Sequence, residues 1–294
     1  MHHLPGTVYP CVSTPGAEDG DGFVRHLGER LFQLLLHTAD FILPLPAVIP
    51  TAVLSTHTGG FTGFTFRDLT DDINDIAEHW KSIDLKFDGI YTGYLGSKEQ
   101  INIVSDFFDT FKNENTKIIV DPVLGDNGKF YTGFDTDFAA EMRKLCSKAD
   151  VIVPNMTEVS YLLDIPYTEK YDEAFIKEKL IQLTSLGCKI AVITGVMYDN
   201  ENHGAVAYDS TTGQFCSSFC KHIDTNVHGT GDIFSSVLSG SLMLTDNLQD
   251  ALDTAVHFTH DCINATLPII KEHYYGAAFE LCVDKLTEYT KKLK

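Results

Sequence analysis

The chain has 294 residues, of which 44% are hydrophobic and 21% are charged, a composition typical of a globular protein with room for a sizeable core. Its 41 acidic and 22 basic residues give a formal net charge of −19. This balance argues against nucleic acid or an anionic membrane surface as a partner, because both require a basic face. A nucleotide is still allowed, since local backbone N–H groups and a metal ion can hold its phosphates.

Seven cysteines are scattered along the chain without the paired spacing of a metal site, which favours reduced thiols. No uninterrupted apolar run approaches the roughly 20 residues that a membrane span requires. A basic start followed by a small-residue cleavage site is also missing from the N-terminus. We therefore expect a cytoplasmic protein.

The first 46 residues carry the weakest structural signal. Residues 8–12 are a poor strand candidate because Pro10 interrupts them, and residues 25–36 are compatible with a short helix. From Ala47 onward the pattern sharpens, and residues 47–54 read as a buried strand. We expect one domain over 47–294, preceded by an atypical segment over 1–46 that is disordered or frameshifted.

Strands and helices alternate along the rest of the chain. Strands are predicted at 87–91, 117–120, 151–153 and 189–194, an antiparallel pair at 203–208 and 214–219, and helices at 71–81, 97–111, 135–147, 157–163, 172–185, from 232, at 247–265 and at 276–292. Such alternation predicts a doubly wound, mostly parallel α/β sheet flanked by helices.

Residues 55–66, Ser-Thr-His-Thr-Gly-Gly-Phe-Thr-Gly-Phe-Thr-Phe, combine hydroxyl, glycine and aromatic residues. This composition fits a small flap that presents His57 and Thr58 to a ligand. An edge hairpin explains the same residues equally well.

Polar residues follow the ends of successive predicted strands. Because the carboxyl ends of parallel strands open on one edge of the sheet, these residues are expected to converge there. They are Tyr94, Asp121, Asp126, Asn155, Glu158, Thr194 and Gly195.

The stretch His-Gly-Thr-Gly-Asp over 228–232 precedes an apolar pattern at helical spacing. Backbone N–H groups at a helix start have no intrahelical partner and bind anions. Gly229, Thr230 and Gly231 would then hold a transferring phosphate while Asp232 takes a proton from an alcohol. A simple capped helix start is the alternative interpretation.

A Walker A loop and a dinucleotide-binding glycine pattern are both missing from the sequence. Instead, Asp-Pro-Val-Leu-Gly-Asp, Pro-Asn-x-x-Glu, Ile-Thr-Gly and His-Gly-Thr-Gly-Asp occur in that order. Together they resemble the ribokinase superfamily. From about residue 47 to the end, the chain is most similar to its pyridoxal (vitamin B6) kinases, because of the Ser-Thr-His-Thr-Gly-Gly-Phe-Thr-Gly and Gly-Tyr-Leu-Gly segments.

The resemblance implies ATP as co-substrate and Mg²⁺ as cofactor, with assistance from K⁺ or Na⁺. Asp232 is then the base that deprotonates the 5′-hydroxymethyl group, beside the amides of Gly229, Thr230 and Gly231. The remaining implied roles are nucleotide contacts from Asp121, Asn155, Glu158, Thr194, Gly195, Thr230 and Gly231, metal contacts from Asp126, Glu158 and Tyr131, and vitamer contacts from His57, Thr58, Tyr94 and Asp232. The resemblance also implies a homodimer with a small-molecule substrate.

Each implied role has a structural alternative. Asp121 and Asp126 fit turn residues around a proline and a glycine, and Glu158 fits ordinary charge at a helix start. Tyr94 and Tyr131 also fit partly buried core aromatics, and His57 fits a plain loop residue.

Two other functions compete with B6 phosphorylation. The first is a hydroxymethylpyrimidine kinase of thiamine synthesis, whose relatives often carry cysteine near the turn where this chain has Asp232. The second is a non-catalytic homologue with a defective N-terminus. Residues 1–46 do not align with the first strand of the family, which favours the hypothesis of a frameshifted or miscalled start.

Overall fold

Short runs rich in Val and Ile form the centre of a nine-stranded sheet in the computed structural model, which describes residues 7–12, 47–56, 62–273 and 275–293. The strands of this sheet are β1 (Thr7–Val12), β2 (Ala47–Leu54), β3 (Phe66–Asp68), β4 (Gly89–Thr92), β5 (Lys117–Val120), β8 (Val151–Ile152), β9 (Ile190–Val196), β10 (Asn202–Asp209) and β11 (Gln214–Lys221). Two further short strands, β6 (Gly125–Asp126) and β7 (Lys129–Phe130), form a separate hairpin.

The sheet runs in the order β11-β10-β9-β8-β5-β4-β1-β2-β3. Its six central strands are parallel, and β3, β10 and β11 add antiparallel edges. The chain leaves β1 toward β2 on one side and later returns to β4 on the other. In open α/β sheets, ligands bind at such a switch point, outside the carboxyl ends of the strands.

The weak strand candidate at the N-terminus is strand β1. Its Val8 is in register with Ala47 of β2 on one side and with Ile90 of β4 on the other. This strand therefore occupies a central position of the sheet. Residues 13–46, including the predicted helix at 25–36, lie outside the described residues, and the hypothesis about the origin of segment 1–46 stays a prediction.

Eight α-helices of the described chain connect and cover the strands. They are α1 (Thr70–Ser82), α2 (Lys98–Phe111), α3 (Thr136–Cys146), α4 (Met156–Leu163), α5 (Glu173–Thr184), α6 (Thr230–Leu244), α7 (Leu248–Thr266) and α8 (Val283–Thr290). Ser97, Asp135, Asp172 and Asn247 each accept a backbone N–H of the first turn that follows them, which fixes where those helices begin.

Alternating side chains of the strands face two separate cores. In β5, Ile118 and Val120 belong to the core shared with α2 to α5, whereas Ile119 belongs to the core shared with α6 and α7. Strand side chains alternate between the faces of a sheet, so a continuous apolar run indicates a strand that is covered on both sides. The doubly wound fold class is thereby confirmed.

The helix predicted at 276–292 is too long. Residues 279–282 form a 3₁₀ turn, and the α-helix begins only at Val283. Three short strands were not predicted: β3, which pairs with β2 at the sheet edge, and the β6–β7 hairpin. Helices long and apolar enough to cross a membrane are not found in the described part of the chain.

Candidate active site

Asp121 follows strand β5 and is buried at the carboxyl end of the sheet. Its Oδ2 accepts hydrogen bonds from the Ser235 hydroxyl at 2.8 Å and from the Tyr91 hydroxyl at 3.4 Å. Burial raises the pKa of Asp121 to about 6, although hydrogen bonds from Ser235, from the Val123 N–H and from Tyr91 oppose the shift. Hydrogen bonds from neighbouring groups therefore stabilise the ionised form of the buried Asp121.

The turn after Asp121 is locally strained. Val123 adopts a φ of 39°, a left-handed conformation that costs a non-glycine residue about 1–2 kcal/mol. The Val123 backbone contributes to lowering the pKa of Asp121, against the effect of burial. Strain of this kind concentrates at functional sites, where surrounding contacts maintain it.

Glu158 and Asn155 form a capping box at the start of α4. Glu158 accepts the Asn155 N–H at 2.9 Å and the Leu124 N–H at 3.0 Å. Burial and the nearby Asp121 charge raise the pKa of Glu158 well above its ordinary value, against these backbone hydrogen bonds. Glu158 therefore caps the helix, in agreement with its interpretation as a charge at a helix start. It is also buried near Asp121.

Asn155 joins three strand ends. Its side-chain amide donates to the Gly125 carbonyl at 2.9 Å, and its backbone lies in a parallel bridge with Thr194. The Thr194 N–H in turn donates to the Pro154 carbonyl at 3.0 Å. Gly195 follows with a φ of 69°, which suits glycine. The predicted convergence of these residues is therefore present.

The N-terminus of α6 is open to a ligand. Gly229 takes a φ of 86° as the residue before the helix, and a side-chain cap on the first turn is not found among the described residues. A Cβ added to Gly231 would have no heavy-atom neighbour within 4 Å. Free space therefore lies beside the first turn of this helix, where backbone N–H groups have no intrahelical partner and can bind an anion.

Asp232 lies in the first turn of the same helix and is half-buried. Desolvation, followed by the charge of Asp121, raises the pKa of Asp232 to about 7. Ser235, one turn further along α6, binds Asp121 directly. The helix that carries Asp232 is therefore tied to the end of β5.

Asp126 and Tyr131 lie on and just after the β6–β7 hairpin. Asp126 is exposed and accepts the Asn127 N–H at 2.8 Å. Tyr131 donates its N–H to the Leu124 carbonyl at 3.0 Å. Burial raises the pKa of Tyr131, and so do the charges of the nearby acids Glu158, Asp126, Asp121 and Asp232. Its hydroxyl therefore stays protonated under the influence of these four negative charges.

Tyr94 is half-buried after strand β4. Its ring stacks on Phe134 with centroids 5.8 Å apart, and its carbonyl accepts the Thr51 hydroxyl at 3.3 Å. Burial and the charge of Asp68 raise its pKa. His57 and Thr58, the other predicted vitamer contacts, lie outside the described residues.

The donor set of the site suits a hard cation. Burial raises the pKa values of Asp121, Glu158 and Asp232, and the charge of Asp121 adds to the rise at Glu158 and Asp232, so a positive charge near their oxygens would be favourable. Oxygen donors are the ligands of Mg²⁺, which retains several waters when it binds proteins. Groups of three or more His, Cys, Asp or Glu placed to hold a metal are not found among the described residues.

Several residues of the site were not identified from the sequence. Ser235 and Tyr91 hold Asp121, and the Thr157 hydroxyl accepts the Gly128 N–H at 2.9 Å, which fixes the hairpin on α4. His203 lies against Gly195, with its Nε2 3.7 Å from the position of an added Cβ. Only Ser235 carried a signal, because it stands three residues after Asp232 and thus on the same helix face.

Comparison with known proteins points to one family. The sequence profile described as phosphomethylpyrimidine kinase matches residues 38–276. A hydroxymethylpyrimidine/phosphomethylpyrimidine kinase of Bacillus subtilis is 25% identical over 272 residues, which cover 91% of this chain and 93% of that protein.

Solved structures give the same picture at higher similarity. A protein of Bacteroides thetaiotaomicron, provisionally named a phosphomethylpyrimidine kinase, is 38% identical, and the match covers 97% of this chain and 95% of that one with a TM-score of 0.88. A second crystal form of it, with pyridoxal, has a TM-score of 0.86. A pyridoxal kinase of Lactobacillus plantarum is 27% identical, with 98% of each chain covered and a TM-score of 0.83.

Proposed function

This chain belongs to the phosphomethylpyrimidine kinase family, whose members are phosphotransferases with alcohol acceptors, and from that premise we propose that it phosphorylates vitamin B6. The reaction transfers the γ-phosphoryl group of ATP to the 5′-hydroxymethyl group of pyridoxal, pyridoxine or pyridoxamine. Its products are ADP and the vitamer 5′-phosphate.

One relationship carries the proposal: Asp232 lies beside Asp121 at the open N-terminus of α6. The pKa of Asp232 is raised to about 7 by desolvation and by Asp121. A general base works best when its pKa lies near the operating pH. Asp232 is therefore suited to take the hydroxyl proton while the oxygen attacks phosphorus.

The phosphate is held by the turn before α6. The first turn of the helix has no side-chain cap from the described residues, and a Cβ added at Gly231 would meet free space; the helix dipole favours negative charge there. The N–H groups of this turn are fixed by the fold before the substrate arrives, so they stabilise charge that develops in the transition state without reorganising. Thr194 and Gly195, at the end of β9, would border the remaining phosphates.

Glu158 and Asp126 would hold Mg²⁺ through its waters, and Asp121 and Asn155 would support them. When bound there, Mg²⁺ supplies positive charge that offsets the phosphates and the buried carboxylates. The protonated Tyr131 hydroxyl would donate a hydrogen bond to a phosphate oxygen. We also propose that K⁺ or Na⁺ assists the reaction and that the protein is a cytoplasmic homodimer.

The choice of vitamer over pyrimidine is supported by two observations. The Bacteroides relative, at 38% identity, was crystallised with pyridoxal. In this chain, Asp232 follows His228-Gly229-Thr230-Gly231. Hydroxymethylpyrimidine kinases often carry a cysteine near this turn instead. Tyr94 would supply an aromatic face for the pyridine ring.

A second candidate is hydroxymethylpyrimidine kinase. It is favoured by the Bacillus subtilis relative, whose alignment covers 91% of this chain. Both acceptors present a hydroxymethyl group on a nitrogen heterocycle, so the same base and phosphate site serve either one.

A substrate panel separates the candidates. The purified full chain is supplied with Mg²⁺, ATP and one acceptor at a time, and ADP release is followed in a coupled assay. We expect kcat/KM for at least one B6 vitamer to exceed that for hydroxymethylpyrimidine by tenfold or more. The opposite ranking would assign the pyrimidine reaction. Binding of vitamer and nucleotide in calorimetry without ADP release would identify a non-catalytic homologue.

A further inference from the structure

The β6–β7 hairpin carries Asp126 and leads directly into Tyr131, two residues of the proposed nucleotide site that lie outside the main sheet. Asp126 is exposed, and Tyr131 is 43% exposed. The hairpin contains only the residue pairs Gly125 with Phe130 and Asp126 with Lys129, and an isolated two-stranded hairpin is at best marginally stable in water. Contacts from outside the hairpin must therefore hold these two side chains in place.

The first turn of α4 holds the base of the hairpin. The Asn155 side-chain amide donates to the Gly125 carbonyl at 2.9 Å, and the Leu124 N–H donates to the Glu158 carboxylate at 3.0 Å. Asn155 and Glu158 also form the capping box, so the start of β6 is bound to the start of the helix. These contacts leave the tip of the hairpin, Asn127-Gly128, to be held by other residues.

Thr157 and Tyr161 of α4 hold the tip. The Gly128 N–H donates to the Thr157 hydroxyl at 2.9 Å, and the Tyr161 hydroxyl donates to the Gly128 carbonyl at 3.1 Å. Thr157 is only 2% exposed, so the core fixes its side chain. The two residues lie one turn apart on the same face of the helix. Both polar backbone groups of Gly128 are therefore bound by one side of α4.

Two tyrosine rings pack against the same tip. The Tyr161 ring stacks on Phe130 with centroids 3.7 Å apart and an interplanar angle of 10°. The Tyr167 ring lies so close to Gly128 that an added Cβ would come within 2.6 Å of its Cδ1. Gly128 also has a φ of 72°, a conformation that suits glycine. The tip is thus enclosed by aromatic contacts in addition to its hydrogen bonds.

We propose that Thr157 and Tyr161 are positioning residues of the nucleotide site, which fix the hairpin so that Asp126 and Tyr131 stay where Mg²⁺ and the phosphates bind. The proposal rests on the proposed kinase function. Thr157 and Tyr161 act through the hairpin and not by contact with the substrate. Groups that are held in place before a ligand binds lose less conformational entropy on binding. The hairpin is therefore a preformed wall of the site.

Two conservative variants test whether the hydrogen bonds hold the tip. Thr157→Val removes the hydroxyl but keeps the branched side chain, and Tyr161→Phe removes the hydroxyl but keeps the ring that stacks on Phe130. Without any ligand, amide hydrogen–deuterium exchange of peptides covering 124–131 should become about three- to tenfold faster in each variant, because each loses one hydrogen bond to the tip. Thr184→Val is the matched control, since its hydroxyl donates to the Ile181 carbonyl within α5. It should leave exchange of the hairpin unchanged.

Steady-state kinetics test whether the hairpin serves the nucleotide. In Thr157→Val, both the KM for ATP and the Mg²⁺ concentration needed for half-maximal rate should rise about three- to tenfold, while the KM for pyridoxal stays unchanged. A general loss of stability would lower the amount of active protein and would not raise the KM for ATP alone. Because Thr157 acts through Tyr131, the effect of Thr157→Val should be smaller in a Tyr131→Phe background.

Two glycines separate the contact with the Tyr167 ring from backbone strain. Gly128 and Gly213 both have a φ of 72°, but a Cβ added to Gly213 would meet no heavy atom within 4 Å. Alanine at either position meets the same backbone strain, so only the ring contact differs. Gly128→Ala should accelerate exchange over 124–131 and raise the KM for ATP, and Gly213→Ala should do neither.

Unchanged exchange over 124–131 in both Thr157→Val and Tyr161→Phe would overturn the positioning role, whether or not the protein is active. Faster exchange with an unchanged KM for ATP and an unchanged Mg²⁺ requirement would overturn the connection to Asp126 and Tyr131. An unmodified chain that neither binds ADP with Mg²⁺ in calorimetry nor releases ADP from ATP would refute the proposed function, and with it the role in nucleotide binding. The exchange result on the ligand-free chain distinguishes this failure from a hairpin that α4 does not hold.

Discussion

The hydroxyl of Ser235 donates a 2.8 Å hydrogen bond to the buried carboxylate of Asp121, although 114 positions separate them in the chain. This contact ties the helix that carries Asp232 to the end of a central parallel strand. It explains why two acids from distant segments share one electrostatic environment.

Replacing Ser235 with alanine should weaken this connection. The variant removes the shorter of the two hydrogen bonds to the buried Oδ2 of Asp121, which costs about 1–3 kcal/mol of stability. It also removes a group that lowers the pKa of Asp121, so Asp121 stays neutral to higher pH and raises the pKa of Asp232 less. The acid limb of the kcat/KM profile, which reports the base Asp232, should therefore move to lower pH. Ser239→Ala is the matched control, because its hydroxyl donates to the Ser235 carbonyl within the same helix. An unchanged profile in Ser235→Ala would contradict the assigned role.

Two glycines of the phosphate-binding turn should respond differently to alanine. Gly231→Ala meets open space and should leave the melting temperature nearly unchanged, while KM for ATP rises about tenfold or more because the methyl group occupies phosphate space. Gly229→Ala must adopt a φ of 86° and should lose about 1–2 kcal/mol of stability. Thermal melts and ATP titrations distinguish them. If the KM for ATP is normal in Gly231→Ala, the phosphate does not bind beside this glycine.

Protein stability without a bound cation should fall as pH rises toward neutrality. The folded-state pKa values of Asp121 and Asp232 are about 6 and about 7, above the ordinary value near 4 of an unfolded aspartate. The native state therefore holds these protons more tightly, and the stability they confer is present below about pH 4 and lost as pH rises through 6 to 7.

The uncharged variant Asp232→Asn tests this pH dependence. Its stability relative to the unmodified chain should increase by about 1–3 kcal/mol between about pH 4.5 and pH 8. Urea unfolding at both values measures the difference. Asp250→Asn, an exposed acid in the first turn of α7, should show no such trend. A constant difference for Asp232→Asn would mean that its carboxyl is not desolvated.

Glu158→Gln should separate the structural and catalytic roles of the capping box. One of the two backbone N–H groups bound by Glu158 would face an amide NH₂ instead of an oxygen, which costs about 1–3 kcal/mol. The Mg²⁺ concentration needed for half-maximal rate should also rise about tenfold, since a charged oxygen ligand is lost. The exposed Glu173→Gln serves as control. If the variant loses stability but needs the same Mg²⁺ concentration for half-maximal rate, Glu158 acts only as a helix cap.

Most of the fold could be predicted because the parallel strands are continuous apolar runs. Ile118, Ile119 and Val120 face two cores in alternation, so no polar face interrupts the pattern. The β6–β7 hairpin carries Asn127-Gly128 with φ values of 51° and 72°, and Asn-Gly is a strong local hairpin signal. Its strands are two residues long, too short for periodicity to mark them.

The meeting of several strand ends at one edge could be predicted from the sequence, but the contacts between them could not. The sequence predicted that the strand ends carrying Asp121, Asn155 and Thr194 meet at one edge, and a parallel bridge joins Asn155 to Thr194. The hydrogen bond of Ser235 to Asp121 joins segments 114 positions apart, and tertiary packing alone brings them together. The same is true of the Ala277 contact with the His228 carbonyl.

The central claim is that Asp232 deprotonates the hydroxymethyl group of a B6 vitamer beside a bound ATP phosphate. The most direct measurement is ³¹P NMR of the full chain with Mg²⁺, ATP and pyridoxal, compared with Asp232→Asn under conditions where calorimetry shows that both bind ADP. We predict equal amounts of ADP and pyridoxal 5′-phosphate from the unmodified chain, and a rate lower by about 10²–10⁴ in the variant. Normal turnover by Asp232→Asn, or ADP formed without the phosphate ester, would contradict the account.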